Sequence, residues 1–201
     1  MTIATDLDCT INNLVEAVLQ EYNILSGDNL TVNDITDYDV SKFIKPEYKD
    51  QLWWLWSDPI VWHYVEWYVK PIARLLEQGQ DTVLFVTSTY PTHVGFKFKS
   101  LCDALVRCCD LDEQRVRDYI ASHLVVTADK HIIHPDVMID DCFDNLLLEH
   151  SDVDNIIIEQ PWNKRLVEEY HAIYPECKPI IICRDVNTIP DIIEILRERR
   201  E

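Results

Sequence analysis

Short apolar runs alternate along the chain with longer stretches in which apolar and polar residues mix at helical spacing. This is the pattern of repeated β-α-β units around a parallel sheet. The runs predict strands over residues 2–6, 82–87, 124–127, 137–140, 155–159 and 179–183. The mixed stretches predict helices over 12–25, 46–56, 59–69, 71–79, 95–108, 112–121, 142–149, 163–173 and 189–199. Right-handed crossovers place such helices on both faces of the sheet, so the fold class is α/β, Rossmann-like.

The interval from about residue 12 to 75 breaks the alternation, because it holds no convincing strand and far exceeds the ~10–12 residues of a minimal crossover. It predicts a small helical cap, 12–75, inserted into a core domain of 1–11 and 76–201. Asp58-Pro59 offers an N-cap followed by proline at the first helical position, so one cap helix starts there. Val61, Val65, Tyr68 and Val69 would share one face of that helix, with Trp62 and Glu66 on another.

Two acidic pairs stand at the carboxyl ends of predicted strands: Asp6 and Asp8 after Thr2-Ile3-Ala4, and Asp140-Asp141 after Val137-Met138-Ile139. Ligands of an open α/β sheet bind beyond the carboxyl ends of its strands. Four carboxylates brought together there cannot all stay ionised without a cation. An all-oxygen donor set is hard, and selects Mg²⁺ over zinc or copper.

The words DLDCT (6–10), FVTST (85–89), TADKHIIHPDVMIDDCFDN (127–145) and IIIEQPWN (156–163) carry a resemblance to the haloacid-dehalogenase-like (HAD) phosphatases. Within that superfamily the chain resembles the 5'(3')-deoxyribonucleotidases, over nearly its whole length from Asp6 to Asn163. Two departures stand out. Cys9 occupies a position where the superfamily usually has glycine, and Cys142 one where family members often carry a basic residue.

The resemblance implies a Mg²⁺-dependent phosphatase acting on deoxyribonucleoside monophosphates through an aspartyl phosphate. Asp6 would be the nucleophile and Asp8 the general acid and base. Asp6, the backbone carbonyl of Asp8 and Asp140 would hold the metal, with Asp141 behind them. Thr87, Ser88, Lys130 and Lys99 would bind the phosphate; Lys97, beside Lys99, reads as solvated surface. A HAD phosphatase for another small ester, or a binding module that keeps the fold without turnover, are the alternative readings.

Five of the six tryptophans lie between Trp53 and Trp67, inside the predicted cap. They either fill the cap's own core or offer a stacking wall to a nucleobase, for which Trp53, Trp56 and Trp62 are the candidates.

Composition bounds the partners. With 18 Lys and Arg against 36 Asp and Glu, the net charge of −18 repels polyanions, which excludes a nucleic-acid polymer as partner. A small phosphate ester still binds where a metal and lysines reverse the field locally. Seven cysteines without a C-x-x-C pair, and no apolar segment ahead of Asp6, point to the cytoplasm. No apolar run reaches the ~18 residues of a membrane span. Oligomeric state, a homodimer included, is left open, and 201 residues suffice for one cored domain with an insertion.

Overall fold

The computed structural model describes residues 1–89 and 93–200. Six strands form a single sheet, every pairing parallel: β1 (Thr2–Asp6), β2 (Thr82–Thr87), β3 (Leu124–Val126), β4 (Val137–Asp140), β5 (Asp154–Ile158) and β6 (Ile181–Cys183). The order across the sheet is β3-β2-β1-β4-β5-β6. The α/β, Rossmann-like reading holds.

Parallel strands covered on both faces need apolar side chains in both directions, and the strand sequences supply them. Ile3, Val83, Phe85, Val137, Ile139 and Ile156 are buried on one side; Ala4, Val86 and Met138 are buried in a separate cluster. The register sets the two central strand ends level: Asp6 lies opposite Val86 on β2, and Thr5 opposite Ile139 on β4. Because the chain leaves β1 to one side for β2 and returns on the other for β4, β1 stands at the switch point of the sheet. A crevice opens there.

Eight α-helices complete the described residues: α1 (Leu14–Ser26), α2 (Lys49–Leu55), α3 (Pro59–Tyr64), α4 (Lys70–Gln78), α5 (Val94–Cys108), α6 (Glu113–His123), α7 (Lys164–Ile173) and α8 (Ile189–Glu198). The Asp58 carboxylate accepts a hydrogen bond from Ile60 N, and Pro59 opens α3, so that start matches the sequence. The end of α3 does not.

The helix expected over 59–69 stops at Tyr64, because the following residues find backbone partners on the chain that leaves β1. Asn13 N donates to Glu66 O, Glu66 N to the Asn13 side chain, and Tyr68 N to Ile11 O. Asn12 and Trp67 thus pair as an isolated antiparallel bridge, and Val65, Tyr68 and Val69 form no helical face with Val61. The helix expected over 142–149 is likewise reduced to a 3-10 turn at Phe143–Asn145. Side chains capture its backbone: Asp140 Oδ1 accepts from Cys142 N at 2.8 Å, and Asn155 accepts from Leu147 N while donating to Leu147 O. Local bonds of this kind offer the chain an alternative to the helix.

A second apolar cluster forms apart from the sheet. It joins Leu14, Val18, Leu19 and Tyr22 of α1 to Ile35, Val40 and Ile44, to Leu52 and Leu55 of α2, and to Val61 of α3. The cluster runs from α1 only as far as Val65, because Ile72, Ala73 and Leu75 of α4 pack with the sheet instead. One residue from far along the chain, Trp162, is buried in it as well.

Candidate active site

The carboxylates of the site sit at the carboxyl end of a strand or in the first turn beyond it. Asp6 closes β1 and Asp140 closes β4, while Asp141 follows directly; all three are buried. One oxygen from each lies within 4.8 Å of the others, so the three carboxylates surround a common point. Thr87 closes β2, also buried, and Ser88 beyond it is exposed.

Lys130 enters from the 3-10 turn Lys130–Ile132, which follows β3 and is opened by the Asp129 side chain accepting from His131 N. Its ammonium bridges two of the carboxylates, 2.5 Å from Asp6 Oδ1 and 2.7 Å from Asp140 Oδ2. Burial works against the lysine's charge, but Asp6 and Asp140 together raise its pKa above the ordinary range. Asp6 moves upward too, to about 7: burial pushes it up, Lys130 pulls it down, and Asp140 and Asp8 push it up again. Both partners of one ion pair rise because Lys130 faces two anions, whereas Asp6 faces one cation and further anions. Asp141 is held well above the usual carboxylate range, by burial first and then by Asp140 and Asp6.

That excess of negative charge is a test of the metal reading. Four carboxylates share two lysines, the three buried ones surround one point, and every donor aimed there is an oxygen. The residues fit a hard divalent cation. Asp8 is not among the three converging carboxylates; its side chain turns to Lys97, and also accepts from Asn12 Nδ2 at 3.3 Å.

Lys97 corrects the sequence reading. Expected on the solvated surface, it is buried, and its ammonium donates to Asp8 Oδ2, to Thr87 Oγ1 at 2.9 Å and to Ser88 O at 3.4 Å. Lys99, the lysine expected at the phosphate, is exposed. The reason is helical geometry: Lys97, Leu101 and Leu105 recur at i, i+4 and i+8 on the buried stripe of α5, and Lys99 lies off it. Replacing Lys97 by Met should lower turnover by roughly 10²-fold, the lower range for loss of one positioned donor to developing charge. Lys99→Met should stay near wild type. Steady-state kinetics of the two variants check this, and equal losses would return Lys99 to the site.

The loop beneath the site is shaped by a residue with a Cβ where glycine is easier. Cys9 has φ of 59°, the left-handed region, which costs a non-glycine residue about 1–2 kcal/mol. The conformation is held by Asn12, whose side chain accepts from Cys9 N at 3.1 Å, and by Gln160, which donates to Cys9 O at 2.8 Å. Cys142 lies buried beyond the acidic pair, where burial and the field of Asp140 push its thiol up to about 12.

Several further residues near these groups were given no role from the sequence, although Thr10, Trp162 and Asn163 stand in the words that carry the resemblance. The Thr10 hydroxyl lies 3.4 Å from Asp6 Oδ2 and 3.2 Å from Asp141 Oδ1, and can donate to one at a time. Trp162 Nε1 donates to Asp141 Oδ2, and Asn163 Nδ2 to Asp141 O. Tyr38 turns a mostly exposed ring, but its hydroxyl is raised in pKa by lost hydration and by the field of Asp141, Cys142, Asp6 and Asp140. Of the tryptophans expected to meet a base, Trp53 is exposed, whereas Trp56 and Trp62 are half-buried against the second apolar cluster and joined by Trp62 Nε1 donating to Trp56 O.

The chain is a phosphoric monoester hydrolase, with its carboxylates and Lys130 gathered at the switch point of a parallel six-stranded sheet. The match to a family model narrows the class: the chain belongs to the family "5' nucleotidase, deoxy (Pyrimidine), cytosolic type C protein", matched over residues 1–186. A 5'(3')-deoxyribonucleotidase of Clostridium acetobutylicum is 22% identical over 167 residues, covering 81% of this chain and 84% of the relative. Among solved structures, a haloacid dehalogenase-like hydrolase of Streptococcus pneumoniae superposes with a TM-score of 0.58 at 10% identity, over 98% of this chain and 97% of the other. Another, from Burkholderia xenovorans, gives 0.56 at 9% identity over the same shares. These two likenesses concern the fold.

Proposed function

We propose that the chain dephosphorylates (deoxy)ribonucleoside monophosphates with Mg²⁺ as cofactor, through an acyl phosphate on Asp6. The convergence of Asp6, Asp140 and Asp141 with Lys130 is the observation that carries this reading, because a metal-assisted nucleophile accounts for carboxylates packed so closely beside a lysine. When bound, Mg²⁺ would neutralise charge on the phosphate and the nucleophile, held by the Asp6 and Asp140 carboxylates and the Asp8 carbonyl, with Asp141 supporting them.

The protein's own residues then divide the work. Asp6 Oδ attacks phosphorus in line, the bond to the leaving alkoxide breaks, and Asp8 hands that oxygen its proton. Water attacks the acyl phosphate next, giving its proton to Asp8 and restoring Asp6 with release of inorganic phosphate. Lys130 keeps the nucleophile anionic and oriented. In the free protein Lys97 bridges Asp8 and Thr87; a bound phosphate would draw that ammonium toward its own oxygens beside the Thr87 hydroxyl and leave Asp8 as the proton carrier.

The second apolar cluster is proposed as the core of the cap over this crevice, with the substrate small and no polymer engaged. A cytoplasmic setting and either a monomer or a homodimer accord with this reading. Nothing among the described residues is a helix long and apolar enough to cross a membrane. All seven cysteines are free.

A turnover panel tests the substrate class: nucleoside monophosphates of both sugars and both phosphate positions, set against sugar phosphates, with Mg²⁺. Nucleotides should show the higher kcat/KM. Of the three candidate tryptophans Trp53 is the exposed one, so Trp53→Ala should weaken nucleotide binding by about 1–3 kcal/mol, the range for base stacking, while sparing a small aryl phosphate. Sugar phosphates turned over as well as nucleotides, with no effect of Trp53→Ala, would reduce the reading to a phosphatase of another small ester. No phosphate release from any substrate would leave a binding module.

A further inference from the structure

Asp141 differs from its neighbours in how its charge is met. Asp6 and Asp140 share the Lys130 ammonium, and Asp8 has that of Lys97. Asp141 is buried with two neutral donors on its oxygens: the Thr10 hydroxyl on Oδ1 at 3.2 Å and the indole N–H of Trp162 on Oδ2 at 3.0 Å. The two donors are not equivalent. A hydroxyl rotates and here has a second acceptor in Asp6, whereas an indole can only donate, and only along its ring plane.

The ring itself is held from two directions. Trp162 is buried in the apolar cluster built by α1, α2 and α3, although it comes from the segment after β5. Its neighbours in sequence fasten that segment to the catalytic loops: Gln160 Nε2 donates to Cys9 O, and Asn163 Nδ2 donates both to Asp141 O and to Ile158 O, each at 2.8 Å. Backbone and side chain of Asp141 are therefore gripped by residues 162 and 163 together.

We propose that Trp162 is a positioning residue for the metal pocket: its packed indole fixes the rotamer of Asp141 through Nε1–H and keeps the other carboxylate oxygen turned toward Asp6 and the shared centre. This inference rests on the metal reading made above. Partners that orient metal-binding carboxylates from behind typically change metal affinity by about 10–100-fold when removed, and an unpaired oxygen in a buried carboxylate would let Asp141 rotate toward any remaining donor.

The test is calorimetric titration of Mn²⁺ into the substrate-free protein, alongside chemical denaturation. Trp162→Phe keeps a ring in the cluster and deletes the donor; Mn²⁺ binding should weaken about tenfold. Where Phe packs too loosely to fold, β-(3-benzothienyl)alanine at position 162 replaces only the N–H by sulfur and keeps the indole's shape. In an Asp141→Asn background the same replacement should have little further effect on Mn²⁺ binding, since the carboxylate it orients is gone. Wild-type Mn²⁺ affinity in both donor-less proteins, with or without loss of stability, would make Trp162 a packing residue and overturn the proposal. Absence of Mn²⁺ binding by the wild-type chain would instead remove the metal reading and the inference together.

Discussion

Asp6→Asn should abolish turnover while leaving the fold in place. The substitution keeps the size of the side chain and its position at the end of β1, but removes the nucleophilic oxygen and one of the three converging carboxylates at once. A residue that is both nucleophile and ligand belongs to machinery that fails as a unit, so the loss should reach several orders of magnitude, as much as ~10⁶ where covalent catalysis is deleted. Structure should survive, because the amide relieves a buried anion that burial already pushes up to about 7. Lys130 keeps Asp140 as its partner in the variant. Circular dichroism and phosphate release measured on the same sample decide the matter. A rate within tenfold of wild type would exclude Asp6 as nucleophile.

The sheet was legible because each strand carries its own signal. Ile3-Ala4, Val137 to Ile139 and Ile156 to Ile158 are runs buried on both faces, as is Val83 to Val86 but for the half-buried Leu84, and such runs read the same in sequence as in structure. Two helices were misread for one physical reason. At 65–69 and 142–149 the apolar spacing is helical, but the backbone groups are claimed by side chains remote from the window read: Asn13 for Glu66, and Asn155 for Leu147. Periodicity reports which way side chains face and is silent about a distant asparagine.

At the site the acidic residues were legible, because position at a strand's carboxyl end is a local property. Lys97 was not read correctly, although the signal lay within α5: it shares the stripe of Leu101 and Leu105, and a lysine on a buried stripe must have a partner. Trp162 stands in the word IIIEQPWN, but nothing local in the sequence marks it as a donor to Asp141. Its donor role depends on the cluster from α1 to α3 packing against a segment about a hundred residues further along the chain, which no window contains. The tryptophans of α2 and α3 divide in the same way: spacing marks them as aromatic and amphipathic, and only packing separates exposed Trp53 from half-buried Trp56 and Trp62.

Stripping divalent ions with EDTA should remove activity, and Mg²⁺ should return it while Zn²⁺ does not. Asp6, Asp140 and Asp141 are buried and offer oxygens within 4.8 Å of one another, and of their immediate neighbours only Lys130 supplies a full positive charge to them. At an effective dielectric of about 20, like charges about 4 Å apart repel by about 4 kcal/mol, so a pocket left this negative would also repel the phosphate it is meant to bind. A divalent cation reverses that sign locally, in a chain whose net charge is −18. Ligand chemistry sets the choice of ion. Carboxylate and carbonyl oxygens suit Mg²⁺ in octahedral geometry, whereas zinc favours a tetrahedral site with nitrogen or sulfur. Among the described residues the atoms that converge are carboxylate oxygens of Asp6, Asp140 and Asp141, and no thiol is among them. Full activity in protein freed of metal, or recovery with Zn²⁺ to the level seen with Mg²⁺, would contradict the hard-cation site and with it the proposed chemistry.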